Sequence, residues 1–200
     1  IENKRNINIV SLTYFIQKVF LIKMNFYQEQ HIFSPSEVQY EKFHDYFHVQ
    51  KNPWEIEKDF YKKLDKYIKY ICWIPGIRMI WVWNSLSMNC TTLDSDIDLY
   101  IVTSPKRMWL VRIWVTFIFH ILWVRKTPQH HAGRFCLSFF STTDALDFWN
   151  FRISNDIYLF FWILYFKPIL DINNTYSNFL NANKSWANFS KYPHIIKENK

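Results

Sequence analysis

The chain has 200 residues, half of them apolar and a fifth charged, which suits one domain with a sizeable core and excludes wholesale disorder. Its net charge of +7 favours anionic partners, whether nucleotides, nucleic acid or acidic lipid, without choosing among them. Cys72, Cys90 and Cys136 are too few and too irregular for a disulfide framework or a zinc finger, which points to a reducing compartment.

Residues 1–52 read as a small helical segment. The start, IENKRNINIV, lacks the apolar core and cleavage site of a leader, and its first residue, Ile, is expected of a fragment or of a gene model with an odd start. A helix is predicted through SPSEVQYEKFHDYF, with Ser34 as cap, Pro35 in the first turn and Glu37 placed for a capping box. Val38, Phe43 and Phe47 give it an apolar face, so a packing or dimer element is favoured over a DNA-reading one.

A single domain is expected over 53–190, with a tail at 191–200. It opens on the helix WEIEKDFYKKLDKYIKYIC, whose Ile56, Phe60, Leu64, Tyr67 and Ile71 lie at helical spacing. A strand in IPGIRMIWVW follows, then a partly helical loop over 85–95, then a second strand, DIDLYIVT. SPKRMWLVRIWVTFIFHILWVRK reads as a helix capped by Ser104, and RFCLSFFS as a third strand. DIYLFFWILYFKPIL reads as a buried helix ended by Pro168, and TYSNFLNANKSWANF as a final amphipathic helix. The apolar runs at 113–124 and 157–166 are well short of the roughly 20 residues a spanning helix needs, so both are expected as buried helices, with no membrane partner. The expected class is α/β (α+β): a mixed sheet flanked by helices.

The candidate chemistry lies in WVWNSLSMNCTTLDSDIDLYIVT. On a strand, residues two apart face the same side, so Asp96 and Asp98 project together, roughly 7 Å apart at their Cα atoms. Two such carboxylates repel unless a cation lies between them, and Mg²⁺ takes oxygen ligands while leaving positions for phosphates. Asn84 and Ser85 end the preceding strand, where backbone N–H groups and the Ser85 hydroxyl could meet a triphosphate. Lys106, Arg107 and Arg112 flank this stretch; Arg112, in mid-helix among apolar residues, is the candidate for phosphate binding.

Ser85 followed by the Asp96–Asp98 pair resembles the signature of polymerase-beta-type nucleotidyltransferases. IPGIRMIWVWNSLSMN, SDIDLYIVT, RMWLVR and GRFCLSFF, with the later DIYLFFWILYFKPILD and TYSNFLNANKSW, resemble a little-characterised bacterial subgroup. The resemblance implies a nucleotidyltransferase-like fold and transfer of a nucleoside monophosphate from an NTP to an acceptor, with release of pyrophosphate. Asp96 and Asp98 would hold two Mg²⁺ ions. A third carboxylate would help to activate the acceptor. Asn84 stands where the signature has Gly, and Asn tolerates a left-handed backbone better than most residues. The third strand carries no acid: Ser138 occupies that kind of position, and Asp144 or Asp147 is the available substitute. The acceptor, whether RNA, protein or a small molecule, is left open, as is a second copy of the chain or a partner protein. A cytoplasmic location is expected. The alternative is a catalytically degenerate nucleotide-binding or regulatory module. A nucleic-acid-binding accessory protein is a third reading, from charge alone.

Other patterns fail. Asp94, Asp96 and Asp98 do not make an EF-hand, because Leu99 and Pro105 stand where Gly and Glu are needed. His130 and His131 lack a third ligand at zinc spacing. Ser85 has no His–acid partner for covalent chemistry. One oddity remains: 2 Gly against 10 Trp, where about 7% Gly is ordinary. Trp73, Trp81, Trp83 and Trp123 stand where Gly would suit turns or close packing, as expected if some of these codons are UGA read as glycine in the source.

Overall fold

The computed structural model describes residues 32–193 and Ile195. The part of the expected helical segment 1–52 that precedes residue 32 lies outside the described residues. Helix α1 spans Glu37–Phe47. Its cap is Ser36 rather than Ser34. The Ser36 hydroxyl accepts from the Gln39 amide, and the Gln39 side chain accepts from the Ser36 amide, so the capping box sits two residues later than expected. Val38 consequently faces solvent while Phe43 is buried. Helix α2 spans Glu55–Ile68 and buries Leu64 and Ile68.

Strand β1 (Ile77–Val82) leads into a one-turn helix α3 (Asn84–Ser87), then strand β2 (Ile97–Thr103). Helix α4 (Met108–Ile121) crosses over to strand β3 (Phe135–Thr142). Ser104 does not cap α4. It accepts from the Arg107 amide in a turn, and the helix begins one turn later than expected.

The largest revision is at Pro168. Helix α5 stops at Leu164, and Lys167–Asp171 form a fourth strand, β4, that the sequence reading merged into the helix. β4 pairs with β1 at the sheet edge. The register slips between Ile80 and Trp81, where Pro168 is placed. A residue without an N–H is tolerated on an edge strand or at a bulge, so Pro168 reads as strand edge here rather than as helix stop. Helix α6 (Thr175–Asn183) closes the fold.

The sheet order is β3–β2–β1–β4. β2 and β3 are parallel, whereas β1 is antiparallel to both its neighbours. The class is therefore a mixed sheet flanked by helices, as expected. Every residue of β2 is buried, because both faces of the central sheet are covered. Ile80, Val82, Leu99 and Ile101 pack with α2 and α4 on one face. Met79, Trp81, Tyr100 and Val102 pack with α1, α5 and α6 on the other.

The division expected at residue 52 does not separate two cores. Phe43 of α1 lies 4.5 Å from Phe161 of α5, and Tyr40 stacks on Tyr192 at 5.1 Å. Tyr192 and Ile195, assigned above to a tail, are buried in the same cluster. Among the described residues no helix is long and apolar enough to cross a membrane.

Candidate functional site

The acids meet at the head of β2. Trp83 is extended, and Asn84 then turns left-handed at φ +63°, which swings the chain into the single turn of α3. Asn84 adopts the left-handed backbone that Gly takes most readily. Its side chain does more than tolerate the turn. The amide Nδ2 donates to Asp98 Oδ2 at 2.9 Å, so one residue both bends the chain and orients an acid. Ser85 is the next residue of this turn. Its carbonyl accepts from the Cys90 amide at 3.0 Å, which ties the following loop back to α3.

Asp98 is buried, and Asp96, one residue before β2, is half-buried. Lys126, just beyond α4, reaches Asp96 with Nζ 2.5 Å from Oδ2. The parallel pairing of β2 with β3 puts Cys136 opposite Asp98. A carboxylate oxygen from each acid and the Cys136 sulfur all lie within 4.8 Å of one another. Among the described residues this is the one group of its kind. Ser138 Oγ lies 2.7 Å from Cys136 Sγ.

Electrostatics follow from burial. Desolvation, then the Asp96 charge, push Asp98 up to about 6, although Asn84, Cys136 and Lys126 pull it back. Burial, then the neighbouring Asp98, push the Cys136 thiol up to about 12, so it is a thiol until a cation displaces its proton. Burial opposes the charge on Lys126, but its pairing with Asp96 outweighs burial and holds the ammonium above its ordinary value. Tyr158 of α5 is raised by burial and then by Asp98, which places the acid's field on the α5 side of the sheet.

A further acid supports the loop that leads to these two. Glu57 is buried at the start of α2. It accepts from the Thr91 amide at 2.9 Å, from the Thr91 hydroxyl at 2.5 Å and from the Trp54 amide at 2.8 Å. Burial raises Glu57, but these donors outweigh it and hold the carboxyl below its ordinary value. Tyr61 donates to the Leu86 carbonyl, and Lys167 to Asn89 Oδ1.

Two expectations are corrected. Arg112 is not brought to the acids. Its guanidinium lies 5.1 Å over the Phe140 ring and 5.8 Å over Trp109, and Phe140 pairs with Ile101, three residues along β2 from Asp98. A cation–aromatic seat accounts for a mid-helix Arg without any phosphate. Asp144 and Asp147 do not substitute for the third acid. They follow the far end of β3, where Thr143 bonds to Thr103, at the opposite end of β2 from Asp96. The third donor at the acid pair is Cys136.

Lys126, Cys136 and Glu57 escaped the sequence reading. Cys136 lies two residues from the Ser138 that was singled out, so the strand was right and the register was not. No protein-family model matches this chain, and no curated protein matches it.

The donor set can be tested against the expected ions. Lys126 takes one oxygen of Asp96 and Asn84 one of Asp98, and Asp98 also accepts from the Cys136 thiol. Mg²⁺ is commonly bound by one or two carboxylates plus phosphates, so the residues fit one such ion. The Cys136 thiol, held protonated, is a poorer ligand than a carboxylate for a second such ion.

Proposed function

We propose that Asp96 and Asp98 hold a single divalent cation and, with it, the triphosphate of an NTP, for transfer of a nucleoside monophosphate to an acceptor. The observation that carries this reading is the Asn84 turn. It sets the first residues of α3 beside a buried acid to which Asn84 is itself hydrogen-bonded. The Ser85 hydroxyl on that turn offers a donor to phosphate oxygens. Asn84 fixes Asp98, and Lys126 fixes Asp96 while offsetting one of the two negative charges. A bound cation would supply charge neutralisation at the phosphates and at the leaving pyrophosphate. In the transfer, the acceptor hydroxyl gives up its proton to solvent water, its oxygen bonds to the α-phosphorus, the bond from that phosphorus to the bridging oxygen breaks, and pyrophosphate departs. We place this activity in the cytoplasm, where NTPs and reduced thiols are found.

One observation favours a second reading, a nucleotide-binding module without turnover. The acceptor's proton needs a base, and Cys136 stands in place of a third carboxylate with its thiol held protonated.

The test is label transfer and pyrophosphate release from the four NTPs with Mg²⁺, with bulk cell RNA and the protein itself among the acceptors. Transfer that falls at least about a hundredfold in Asp96→Ala and Asp98→Ala supports the enzyme. Acid-dependent Mg–NTP binding without transfer supports the module, and Cys136→Asp should then tighten Mg²⁺ binding by about tenfold. A folded protein with neither binding nor transfer ends both readings.

A further inference from the structure

Helix α4 is apolar on two sides. Val111, Val115 and Phe119 face the sheet and are buried. On the opposite side, Trp109, Ile113, Phe117 and Ile121 recur every four residues, with Trp114 beside them and Trp123 just past the end. These six are between 48% and 68% exposed. The run from Ile113 to Val124 was expected to be buried, yet its outer stripe is open among the described residues. A stripe of large apolar side chains along a whole helix needs an occupant.

Charge indicates which one. From Leu99 to Thr143 the chain has no Asp or Glu and carries Lys106, Arg107, Arg112, Arg125, Lys126 and Arg134. Lys106 and Arg107 are exposed at the start of α4, and Arg125 and Lys126 at its end. Lys126 is paired with Asp96; the aromatic stripe lies between these two cationic ends. A second copy would fit poorly. Two such faces packed parallel or antiparallel would bring cationic ends together around the buried stripe. Nucleic acid would also fit poorly, since Ile113, Phe117 and Ile121 offer nothing to phosphates and the one cation among the rings, the half-buried Arg112 over Trp109, is already seated.

We infer that the outer face of α4 docks flat on an anionic lipid surface. Trp109, Trp114 and Phe117 would enter the headgroup boundary and the terminal cations would meet lipid phosphates. The helix is too short to cross the bilayer, so the chain lies on the surface. This replaces the expectation of no membrane partner, which run length alone suggested. It does not depend on the nucleotide reading.

The experiment is sedimentation of the full chain with vesicles of phosphatidylcholine alone and of phosphatidylcholine with phosphatidylglycerol. Binding is expected to the anionic vesicles, weakened by salt, with quenching of tryptophan fluorescence by brominated lipid in the unmodified protein. Ile113→Glu with Phe117→Glu should reduce binding by about tenfold while leaving the far-UV spectrum unchanged. Lys106→Gln with Arg125→Gln should remove the preference for anionic vesicles. A folded protein that stays in the supernatant with both vesicle types overturns the inference. So does concentration-dependent self-association abolished by Phe117→Glu, or RNA binding through this face, in the absence of vesicle binding.

Discussion

Asp98 shows how a site can work against its own fold. Burial lifts its pKa from 3.8 to about 6, so the folded protein holds the ionised form less well than the unfolded chain does. The sign follows. Below the unfolded value both states are protonated and there is no penalty. The penalty grows as pH rises from about 4 to about 6 and is complete above that. Asp98→Asn should therefore stabilise the ion-free protein at about pH 7.5 by about 1–3 kcal/mol, an advantage that vanishes on acidification to about pH 4. The new amide oxygen can still accept from Asn84. Denaturant titrations across pH, in chelator, measure this. The same variant should lose any stabilisation by added divalent cation, because the ion no longer finds its second carboxylate. At this scale the sequence was informative. The i, i+2 spacing placed both acids on one side, and Asn84 takes the left-handed turn that its residue type suggested. Cys136 was not legible, because strand register depends on the packing of whole faces.

Among the elements, α4 ends in an unusual way. Trp123 takes φ +59° just past the helix cap. Its amide donates to the His120 carbonyl, and the Val124 amide donates to Phe119. These two bonds are the Schellman pattern, whose left-handed residue is most often Gly. Trp123 is thus one of the four expected glycine-like positions with a backbone reason. Trp81 and Trp83 carry a different sign, buried indole Nε1 groups without a hydrogen-bond partner among the described residues, whereas Trp73 is simply exposed. Trp123→Gly should raise stability by about 1 kcal/mol, read by chemical denaturation, since removing Cβ relieves the left-handed strain and an exposed ring leaves little burial to lose. β4 shows the opposite limit of sequence reading. Lys167–Asp171 followed an apolar helix without a Gly or a polar turn, so a proline that sits at a sheet edge looked like the end of that helix.

Across the whole molecule, the N-terminal helix belongs to the core. Phe43 is buried against Phe161, and His44 meets the Tyr165 hydroxyl at 2.6 Å. Phe43→Ala should destabilise the protein by about 3–5 kcal/mol in equilibrium unfolding, with one transition rather than two, because α1 and α5 share one cluster. Asn183 joins distant pieces in the same way. Its amide donates to the Leu146 and Phe179 carbonyls, and its oxygen accepts from the Phe148 amide and the Trp186 indole. Phe179 and Trp186 are near neighbours in sequence, but Leu146 and Phe148 lie 37 and 35 residues away and are not visible along the chain.

What the sequence by itself determined was local. Apolar periodicity placed α2, α4, β1, β2 and β3, and two-residue alternation brought Asp96 and Asp98 together, because side-chain direction along a helix or strand depends only on the backbone period. What the tertiary structure decided was everything set by pairing and coverage. It put Cys136 opposite Asp98 and Lys126 on Asp96, and it seated Arg112 on an aromatic ring. It drew residues 33–52 into one core and left the outer face of α4 open. These outcomes depend on which surfaces meet across the sheet, and the burial of faces from residues far apart in sequence is a property of the assembled chain.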